Sequence, residues 1–454
     1  MNLQKNKTLR CFTMSFLKIV MVGGGSYNWL PTLLGDLVQT PELRNSEIWL
    51  LDPLTDAANE LKAAIEKADG NSPDYRFMVT DNEEEAFRNA DFVVITISTG
   101  GLEAMRQDIA IPEKYGIFQT VGDSAGPGGW ARTIRNYKVF RDMVEKIEKL
   151  SPNAMILNYT NPMAGLTGVI SRHCGLRHVG LCHGLFSVYW AMQRIFGCQE
   201  KDIRVNFAGV NHFFWVTGMK ICGKDGIAML REKLQDSSLD ELITGGSDVV
   251  PDHKGEKHLL VAELFQKYGA LTYFEDRHTS EYLPGLLNDR EEMARLQLIR
   301  TTIERRYEKV RKNRAYTLKM ISGEKGLFKR SRETAVDIIR AAACGETFAD
   351  VMNLENIGQI ANLPMGAVVE TMGCIRDGVP EPIAFGALPD GLAALTAPHC
   401  TVQKLTVDAL VTGNRKMLLE ALLHDPVCSF LTPEKIMAMA NELLEANQPF
   451  LPEI

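Results

Sequence analysis

The sequence predicts an α/β protein built on a doubly wound parallel sheet, and two observations support this class. Short apolar runs alternate with helical stretches from residue 17 to about residue 160, as parallel strands joined by crossover helices require. The first of these runs, residues 17–22, stops abruptly at three consecutive glycines. The run is too short and too continuous for an amphipathic helix, so it indicates a strand that is buried on both faces.

The glycines that follow this strand predict a dinucleotide-binding loop. Gly23 and Gly25 allow a tight turn and bring backbone N–H groups close to a pyrophosphate at the start of the next helix. Asn28 replaces the third glycine of the usual motif, so a glycine turn between any strand and helix is the alternative. Together with a second strand, residues 48–51, the loop predicts a Rossmann-like domain.

An acid at the end of the second strand predicts which dinucleotide binds. Asp52 lies where a carboxylate meets the ribose hydroxyls and repels a 2′-phosphate, which favours NAD over NADP. A further strand, residues 92–97, has a glycine-rich exit of the kind that lines a cofactor crevice. The predicted cofactor-binding residues are Val22, Gly23, Gly24, Gly25, Ser26, Asp52, Ser98 and Thr99.

The remaining pattern predicts two domains, residues 15–200 for the nucleotide and residues 201–454 for metal, substrate and subunit contacts.

Residues 122–132 are too rich in glycine for a helix or strand, so we expect a loop over the ligand or a plain surface turn, followed by a helix over residues 133–150. Residues 155–159 are a further predicted strand, and residues 179–184, VGLCHG, are predicted to form a short apolar strand that ends in Cys182 and His183.

Composition excludes several classes of partner. A net charge of −7 without a basic stripe argues against nucleic acid as a binding partner. The sequence contains no run of about 18 apolar residues, which a membrane-spanning helix requires. The start of the sequence shows no secretory signal. The nine cysteines are scattered without a C-x-x-C pair, which is typical of reduced thiols in the cytoplasm.

Polar residues with catalytic potential follow three later stretches. NYTNPM contains Asn161, VGLCHG contains Cys182 and His183, and FAGVNHFFW contains His212. Each residue by itself is more typical of a structural role. Together, the Cys182 thiolate and the His212 imidazole can hold one divalent ion and leave positions open for substrate oxygens, which indicates a catalytic metal.

A fourth stretch, residues 250–290, mixes polar and apolar residues and contains Tyr268, Asp276, Arg277 and His278. Arg277 lies between aromatic residues, where its guanidinium can bind a planar carboxylate through two parallel hydrogen bonds. Arg132 is the competing candidate for this role, and a simple ion pair of Arg277 with Asp276 or Glu281 is the structural alternative.

The motifs GGGSYNW, NYTNPM, GLCHG and GVNHFFW, in this order, resemble glycoside hydrolase family four, the NAD- and manganese-dependent glycosidases. The resemblance runs from about residue 17 to residue 450. Residues 202–212, 116–129 and 268–285 are most similar to the branch of α-galacturonidases and α-glucuronidases. Galacturonidases carry glutamate after the Cys-His pair, whereas Gly184 stands here, as in some glucuronidase-like members.

The resemblance implies a fold like that of lactate and malate dehydrogenases, with a C-terminal α+β domain, and a homodimer or homotetramer. It implies that Cys182 and His212 bind Mn²⁺ or another divalent metal and that NAD is the second cofactor. The implied substrate residues are Asn161, Arg132, Arg277 and His278. His183 corresponds to the proton donor, and Asp276 to the base, with Tyr268 as the alternative.

The implied reaction hydrolyses α-glycosides of hexuronic acids through oxidation at C3, metal-assisted deprotonation at C2 and elimination of the leaving group. Water then adds to the resulting alkene, and NADH returns its hydride to C3. Within the family, α-glucuronidase, α-galactosidase and α-glucosidase activities are the alternatives. An NAD-dependent 2-hydroxy-acid dehydrogenase and a non-enzymatic nucleotide sensor are alternatives from other classes, but neither needs a thiolate and an imidazole beside one cavity.

Overall fold

The computed structural model describes residues 16–68, 75–245, 255–324 and 330–451. The strands are β1 (Lys18–Val22), β2 (Glu47–Leu51), β3 (Arg76–Thr80), β4 (Phe92–Ile95), β5 (Met155–Asn158), β6 (Arg177–Gly180), β7 (Ile203–Val210), β8 (Phe213–Ile221), β9 (Lys224–Asp225), β10 (Phe348–Glu355), β11 (Val368–Arg376) and β12 (Val379–Pro382). The helices are α1 (Leu30–Val38), α2 (Thr55–Ala68), α3 (Glu83–Phe87), α4 (Gly101–Lys114), α5 (Gly126–Leu150), α6 (Met163–His173), α7 (Gly184–Phe196), α8 (Gly226–Lys233), α9 (Leu239–Thr244), α10 (Leu259–Tyr268), α11 (Asp276–Thr279), α12 (Arg290–Arg295), α13 (Ile303–Ile321), α14 (Ala335–Cys344), α15 (Asp390–Thr412), α16 (Arg415–Leu423) and α17 (Pro433–Ala446).

The first half of the sheet confirms the predicted α/β class. Six strands pair in parallel in the order β3-β2-β1-β4-β5-β6, with helices between them along the chain. The order reverses direction at β1, which is the switch point where doubly wound sheets bind ligands. The sequence did not predict β3, whose residues alternate between buried and exposed because β3 lies at the edge of the sheet.

The same sheet continues into an antiparallel half, which the sequence did not predict. The register pairs Asn353 of β10 with Gly180 of β6, and the order then runs β10-β11-β7-β8-β9. Strands β7 and β8 form a hairpin, and Asn211 and His212 form its turn. The sheet is therefore parallel around the nucleotide loop and antiparallel around His212. The division of the chain at residue 200 stays a prediction.

Apolar side chains pack on both faces of the parallel half. Val20 and Val93 face a cluster formed largely with α5, α6 and the C-terminal helices α15 to α17. Ile19 and Met21, which alternate with Val20 along β1, face a second cluster that includes residues of α1, α2 and α14. Burial on both faces explains why these strands appear in the sequence as continuous apolar runs.

The predicted loop over residues 122–132 is wrong in its second part, because α5 begins at Gly126. The glycines in this turn serve close packing. A Cβ atom on Gly129 would lie 2.5 Å from the backbone of Ser124, and one on Gly128 would lie 2.8 Å from Oε1 of Gln119. The helix therefore starts directly beneath the loop that carries Asp123 and Ser124.

None of the helices in the described part of the chain is long and apolar enough to cross a membrane. The cysteines described, from Cys174 to Cys428, are all free thiols. Cys11 lies outside the described residues.

A substitution at Gly180 tests how the two halves of the sheet are joined. A Cβ atom here would lie 2.6 Å from Oγ1 of Thr167, 2.7 Å from Sδ of Met163 and 3.0 Å from Cβ of Asn353. We expect Gly180→Ala to lower the free energy of unfolding by about 1–3 kcal/mol, because it overpacks the junction. Urea unfolding followed by circular dichroism measures this change. Gly391→Ala is the matched control, since no atom lies within 4 Å of the position that its methyl group would occupy; an equal loss in both variants would contradict the explanation.

Candidate functional site

The predicted nucleotide loop and Asp52 are in direct contact. Oδ2 of Asp52 accepts a hydrogen bond from the backbone N–H of Gly25 at 2.9 Å. Gly23 has a φ of +85°, and a Cβ atom on Gly24 would lie 2.7 Å from the backbone of Leu50. These glycines therefore allow a turn and a close approach that other residues would obstruct. The arrangement fits a nucleotide at the carboxyl ends of β1 and β2.

Arg132 connects this crevice to Asn161. Its Nε donates to the backbone carbonyl of Asn161 at 2.9 Å, and its terminal nitrogen donates to Oγ of Ser98 at 3.2 Å. Burial lowers the pKa of Arg132 to about 10. The structure thus brings two predicted substrate residues beside Ser98, a predicted cofactor residue, while the guanidinium remains a cation at neutral pH.

His212 lies at the centre of a buried group of possible metal ligands. Ligand atoms of Asp123, His212 and His278 all lie within 4.8 Å of one another, and all three residues are buried. Oγ of Ser124 donates to Oδ1 of Asp123 at 2.8 Å and lies 2.9 Å from Nδ1 of His212. The turn holds His212 at a φ of +64°, a left-handed conformation that few non-glycine residues adopt.

Asp123 is the ionised member of this group. Burial by itself would raise its pKa, but the positive charge of Arg306, with His278 and His212, holds the pKa well below its usual range. A terminal nitrogen of Arg306 lies 3.4 Å from Oδ2 of Asp123. A carboxylate and two imidazoles suit a divalent cation such as Mn²⁺.

Tyr273 links His212 to Cys182. Its ring stacks on His212 with a centroid distance of 5.3 Å and lies 5.4 Å from His278. Burial raises the pKa of Tyr273 well above its usual range, and the nearby Cys182 sulfur adds to the rise. Cys182 itself is not a member of the group of three around His212. Of the two predicted metal ligands, His212 thus belongs to this group, whereas Cys182 lies near Asn211, the residue before His212.

Cys182 follows β6, and its Sγ accepts a hydrogen bond from the backbone N–H of Gly184 at 3.3 Å. Burial raises the pKa of the Cys182 thiol well above its usual range, and Glu370 contributes to the rise. In the absence of a cation the sulfur is thus a neutral thiol, whereas a bound cation would favour the thiolate.

Glu370 is a buried carboxyl group on β11. Its Oε2 accepts hydrogen bonds from the side-chain amides of Asn211 at 3.1 Å and Asn353 at 2.9 Å. Burial raises its pKa to about 7. Glu370 therefore fixes the residue before His212 and stands close to the Cys182 thiol.

His183 lies at the edge of a cavity of about 360 Å³. Its side chain is 42% exposed, and Nδ1 lies 3.4 Å from Oε1 of Glu333. The cavity is also lined by the aromatic residues Phe186, Trp190 and Phe274. An accessible imidazole beside an aromatic cavity can transfer a proton to a bound molecule.

The two predicted bases lie in other surroundings. Asp276 accepts hydrogen bonds from the backbone N–H groups of Leu260 and Val261 at 3.0 and 3.1 Å, so both its oxygens contact the start of α10. Burial raises its pKa to about 7. Tyr268 is the last residue of α10 and packs against Trp215, with a centroid distance of 5.8 Å.

Arg277, a predicted substrate residue, is paired with two buried acids. A terminal nitrogen lies 2.7 Å from Oε2 of Glu275, and Nε lies 3.2 Å from Oε1 of Glu256. The sequence suggested an ion pair of Arg277 with Asp276 or Glu281 as the structural alternative, but the partners in the structure are Glu275 and Glu256. Ion pairs on two sides leave Arg277 less suited to bind a substrate anion than the sequence suggested.

Sequence reasoning missed Asp123, Ser124, Tyr273 and Glu370. Signals for three of them were present: Asp123 and Ser124 are the polar residues of the glycine-rich stretch, and Glu370 is a lone acid in an apolar run. Tyr273 was treated as one of several apolar residues between polar ones. Only its contact with His212 distinguishes it.

Glu281 holds the loop that carries Asp123. Its Oε1 accepts hydrogen bonds from the backbone N–H groups of Val121 and Gly122, each at 2.8 Å. Burial raises the pKa of Glu281 to about 7, and the negative charge of Asp123 adds to the rise. The loop therefore rests on an acid that is partly protonated near neutral pH.

Comparison with known proteins identifies relatives over nearly the whole chain. Residues 18–198 match the sequence family described as family 4 glycosyl hydrolase, and residues 207–428 match its C-terminal domain. An α-galacturonidase of Bacillus subtilis is 32% identical over 425 residues, covering 91% of this chain and 94% of the relative. An α-galactosidase of the same organism is 31% identical over 444 residues, covering 96% and 99%.

Solved structures agree with this relationship. A Bacillus subtilis protein described as a glucosidase has a TM-score of 0.85 and 31% identity, covering 94% of this chain and 100% of that chain. A 6-phospho-β-glucosidase of Thermotoga maritima, solved with manganese, NAD⁺ and glucose-6-phosphate, has a TM-score of 0.76 at 19% identity, covering 96% and 99%. A malate dehydrogenase of Cryptosporidium parvum has a TM-score of 0.50 at 14% identity, covering 88% and 100%, which confirms the dehydrogenase-like fold.

The pKa of Glu281 predicts a specific pH dependence of stability. Because the folded pKa is about 7 and the unfolded pKa about 4.3, the folded state holds the proton more tightly, and stability is lost as pH rises from about 4 through 7. Glu281→Gln should remove about 2–3 kcal/mol of this loss between pH 5 and pH 8. Urea unfolding at both pH values measures it. Glu291→Gln, on the exposed surface, is the control, and an unchanged pH dependence in Glu281→Gln would refute the assignment.

Proposed function

Because the chain belongs to family 4 of the glycosyl hydrolases, we propose that it hydrolyses α-linked galacturonides with the help of NAD and a divalent metal. The observation that carries the proposal is the buried group Asp123, His212 and His278, which is near Arg132, the residue that donates to Ser98 of the nucleotide crevice. A 2-hydroxy-acid dehydrogenase or a nucleotide sensor has no use for such a group.

The proposed NAD site is the crevice at the carboxyl ends of β1, β2 and β4. Its residues fit the cofactor, since Gly23 and Gly24 allow close backbone approach and Asp52 stands beside them as the partner for ribose hydroxyls. Val22, Gly25 and Ser26 complete the loop, and Ser98 and Thr99 form the opposite wall. A protein of the same fold binds NAD⁺, which supports the assignment.

The proposed metal site contains His212 with Asp123 and His278, and Cys182 is the further ligand that family membership implies. Two imidazoles and an ionised carboxylate fit a divalent cation, and Ser124 orients both Asp123 and His212 as outer partners of metal ligands commonly do. Thiolate formation at Cys182 depends on such a cation, because burial raises the thiol pKa.

When bound, NAD supplies a hydride acceptor for C3 of the sugar, and the divalent metal supplies a Lewis acid for its oxygens. Asn161 and Arg132, which contact each other beside the cofactor wall, would hold the sugar hydroxyls. The buried walls around His212 exclude water from the reacting carbons.

Tyr273 is proposed as the base that removes the proton from C2, in place of Asp276 or Tyr268. Its ring contacts His212, whereas the oxygens of Asp276 are occupied at the start of α10 and Tyr268 packs on Trp215. Burial raises the pKa of Tyr273, so the phenol must be helped to ionise; Arg277 acts in that direction, and a cation beside His212 would do the same.

His183 is proposed as the acid that protonates the leaving oxygen. It is accessible from the cavity that the aromatic residues line, and its Nδ1 lies near Glu333, which orients the ring. The cavity of about 360 Å³ would then receive the leaving group.

Galacturonide is preferred over galactoside as the proposed substrate, because α-galacturonidases are among the relatives that match at about one-third identity. An α-galactosidase matches nearly as well, so neutral galactoside is the second candidate. α-Glucuronide and α-glucoside are the further candidates. We also propose a cytoplasmic homodimer or homotetramer.

The proposed activity predicts hydrolysis of an aryl α-D-galacturonide in the presence of NAD⁺, Mn²⁺ and a thiol reductant. Since each turnover returns the hydride, no NADH should accumulate, and deuterium at C2 should exchange with solvent during hydrolysis. Release of the aryl alcohol, the absorbance of NADH and mass spectrometry of the sugar measure these three effects. Enzyme treated with a metal chelator is the control. Full activity in the presence of the chelator, or retention of the deuterium at C2, would contradict the mechanism.

The choice of base predicts that Tyr273→Phe lowers kcat by roughly 10²–10⁴-fold, because the variant keeps the ring stacking on His212 but lacks the hydroxyl. Steady-state kinetics on the galacturonide and calorimetric binding of Mn²⁺ separate catalysis from metal binding, and Mn²⁺ affinity should stay close to the original value. Tyr268→Phe is the comparison. A larger loss in Tyr268→Phe than in Tyr273→Phe would reverse the assignment.

A further inference from the structure

Helix α13 crosses the molecule between the nucleotide loop and the His212 group. At one end, a terminal nitrogen of Arg306 lies 3.4 Å from Oδ2 of Asp123. Near the middle of the helix, Nδ2 of Asn313 donates to Oδ1 of Asn28 at 2.8 Å. The seven residues from 306 to 313 span about 10 Å of helix. The helix segment between these contacts therefore borders the space in which the sugar and the nicotinamide must meet.

Lys309 lies on the same face of α13 as these two contacts. Arg306, Lys309 and Asn313 have the spacing i, i+3 and i+7, which places them along one side of a helix. Helical side chains lean toward the helix N-terminus, so the Lys309 side chain is directed toward Arg306 and away from the nucleotide loop. Its ammonium group thus belongs to the metal end of the crevice.

Three cations meet at this end, and they differ in how their charge is balanced. Arg277 has carboxylates of Glu275 and Glu256 within 3.2 Å, and Arg306 has Asp123 at 3.4 Å. Within the described part of the chain, Lys309 has neither a hydrogen bond nor an ion pair. Lys309 as a whole residue is exposed, but burial around its ammonium group lowers its pKa, and the positive charges of Arg306 and Arg277 lower it further.

Arg306 also keeps a donor for a ligand. Its Nε is buried and has no hydrogen-bond partner among the residues described, whereas its terminal nitrogen is directed to Asp123 and to the backbone carbonyl of Val121. A buried donor without an acceptor costs stability until an acceptor arrives. Nε of Arg306 and Nζ of Lys309 therefore offer two donors to one planar anion.

We propose that Lys309, together with Arg306, binds the C5 carboxylate of the sugar and so makes the enzyme prefer galacturonides to galactosides. This proposal rests on the proposed function. The alternative anion, the pyrophosphate of NAD, would lie at the glycine loop near Asn28. Asn313 contacts Asn28 on the C-terminal side of Lys309, whereas the Lys309 side chain leans toward the helix N-terminus. Arg277 and Arg132 are not needed for this role, because other groups already engage them.

The test compares kcat/KM on aryl α-D-galacturonide and aryl α-D-galactoside for the enzyme loaded with NAD⁺ and Mn²⁺. Lys309→Met should lower kcat/KM on the galacturonide by roughly 10- to 100-fold and change the galactoside value by less than about 3-fold, since only the first substrate carries the carboxylate. Lys309→Arg should recover most of the loss. Lys312→Met is the matched control, because Lys312 is 73% exposed and its charge is already paired with Glu308 at 2.7 Å.

Two binding measurements separate the possible roles of Lys309. In calorimetry, Lys309→Met should bind free galacturonate more weakly than the unmodified enzyme does, whereas its affinity for free galactose should be unchanged. Fluorescence titration with NAD⁺ should give an unchanged dissociation constant. A loss of NAD⁺ affinity, or an equal loss on both glycosides, would overturn the proposal in favour of a cofactor role or a structural role. If the unmodified enzyme cleaved no galacturonide, the proposed function itself would fall, and this proposal with it.

Discussion

The contact between Gly180 and Asn353 is the constraint on which the site depends. It joins the parallel strands, whose ends form the nucleotide crevice, to the antiparallel strands that carry His212 and Glu370. Thr167, Met163 and Asn353 approach the Gly180 backbone so closely that a side chain has no room. Because one rigid sheet spans both halves, the cofactor loop and the hairpin turn keep a fixed separation, as transfer of a hydride between cofactor and sugar requires.

The acidic residues around His212 differ in their pKa values because their environments differ. Asp123 stands beside Arg306 and is held ionised, whereas burial raises the pKa values of Glu370, Glu281 and Asp276 to about 7. The ionised acid is the one within reach of both imidazoles, where a divalent cation would balance its charge. The others support backbone or amide groups, so they can fix loops without adding full negative charge to the site.

Helix α13 relates the two ends of the crevice to each other. Its contacts with Asn28 and Asp123 bridge the nucleotide loop and the His212 group, and Arg314 pairs with Glu60 of α2 at 2.7 Å. A helix held by contacts on both sides of Lys309 can present this residue in a constant position relative to both the cofactor and the metal ligands. Specificity for a charged sugar then depends on a rigid element and not on a flexible loop.

The sequence by itself determined the nucleotide half of the protein, because strands β1, β2, β4 and β5 are buried on both faces and therefore appear as continuous apolar runs. Gly23 and Asp52 could also be recognised from the sequence, because each directly follows one of these strands. It also determined the family, through Cys182, His212 and the motifs around them. Tertiary structure decided the antiparallel half and the contacts of Asp123, Tyr273 and Glu370 with this site. These residues are distant from His212 along the chain, and different contacts bring each of them to it. The pairing of β11 with β7 places Glu370, the bridge between Val216 and Leu271 places Tyr273, and Ser124 joins the Asp123 loop to His212.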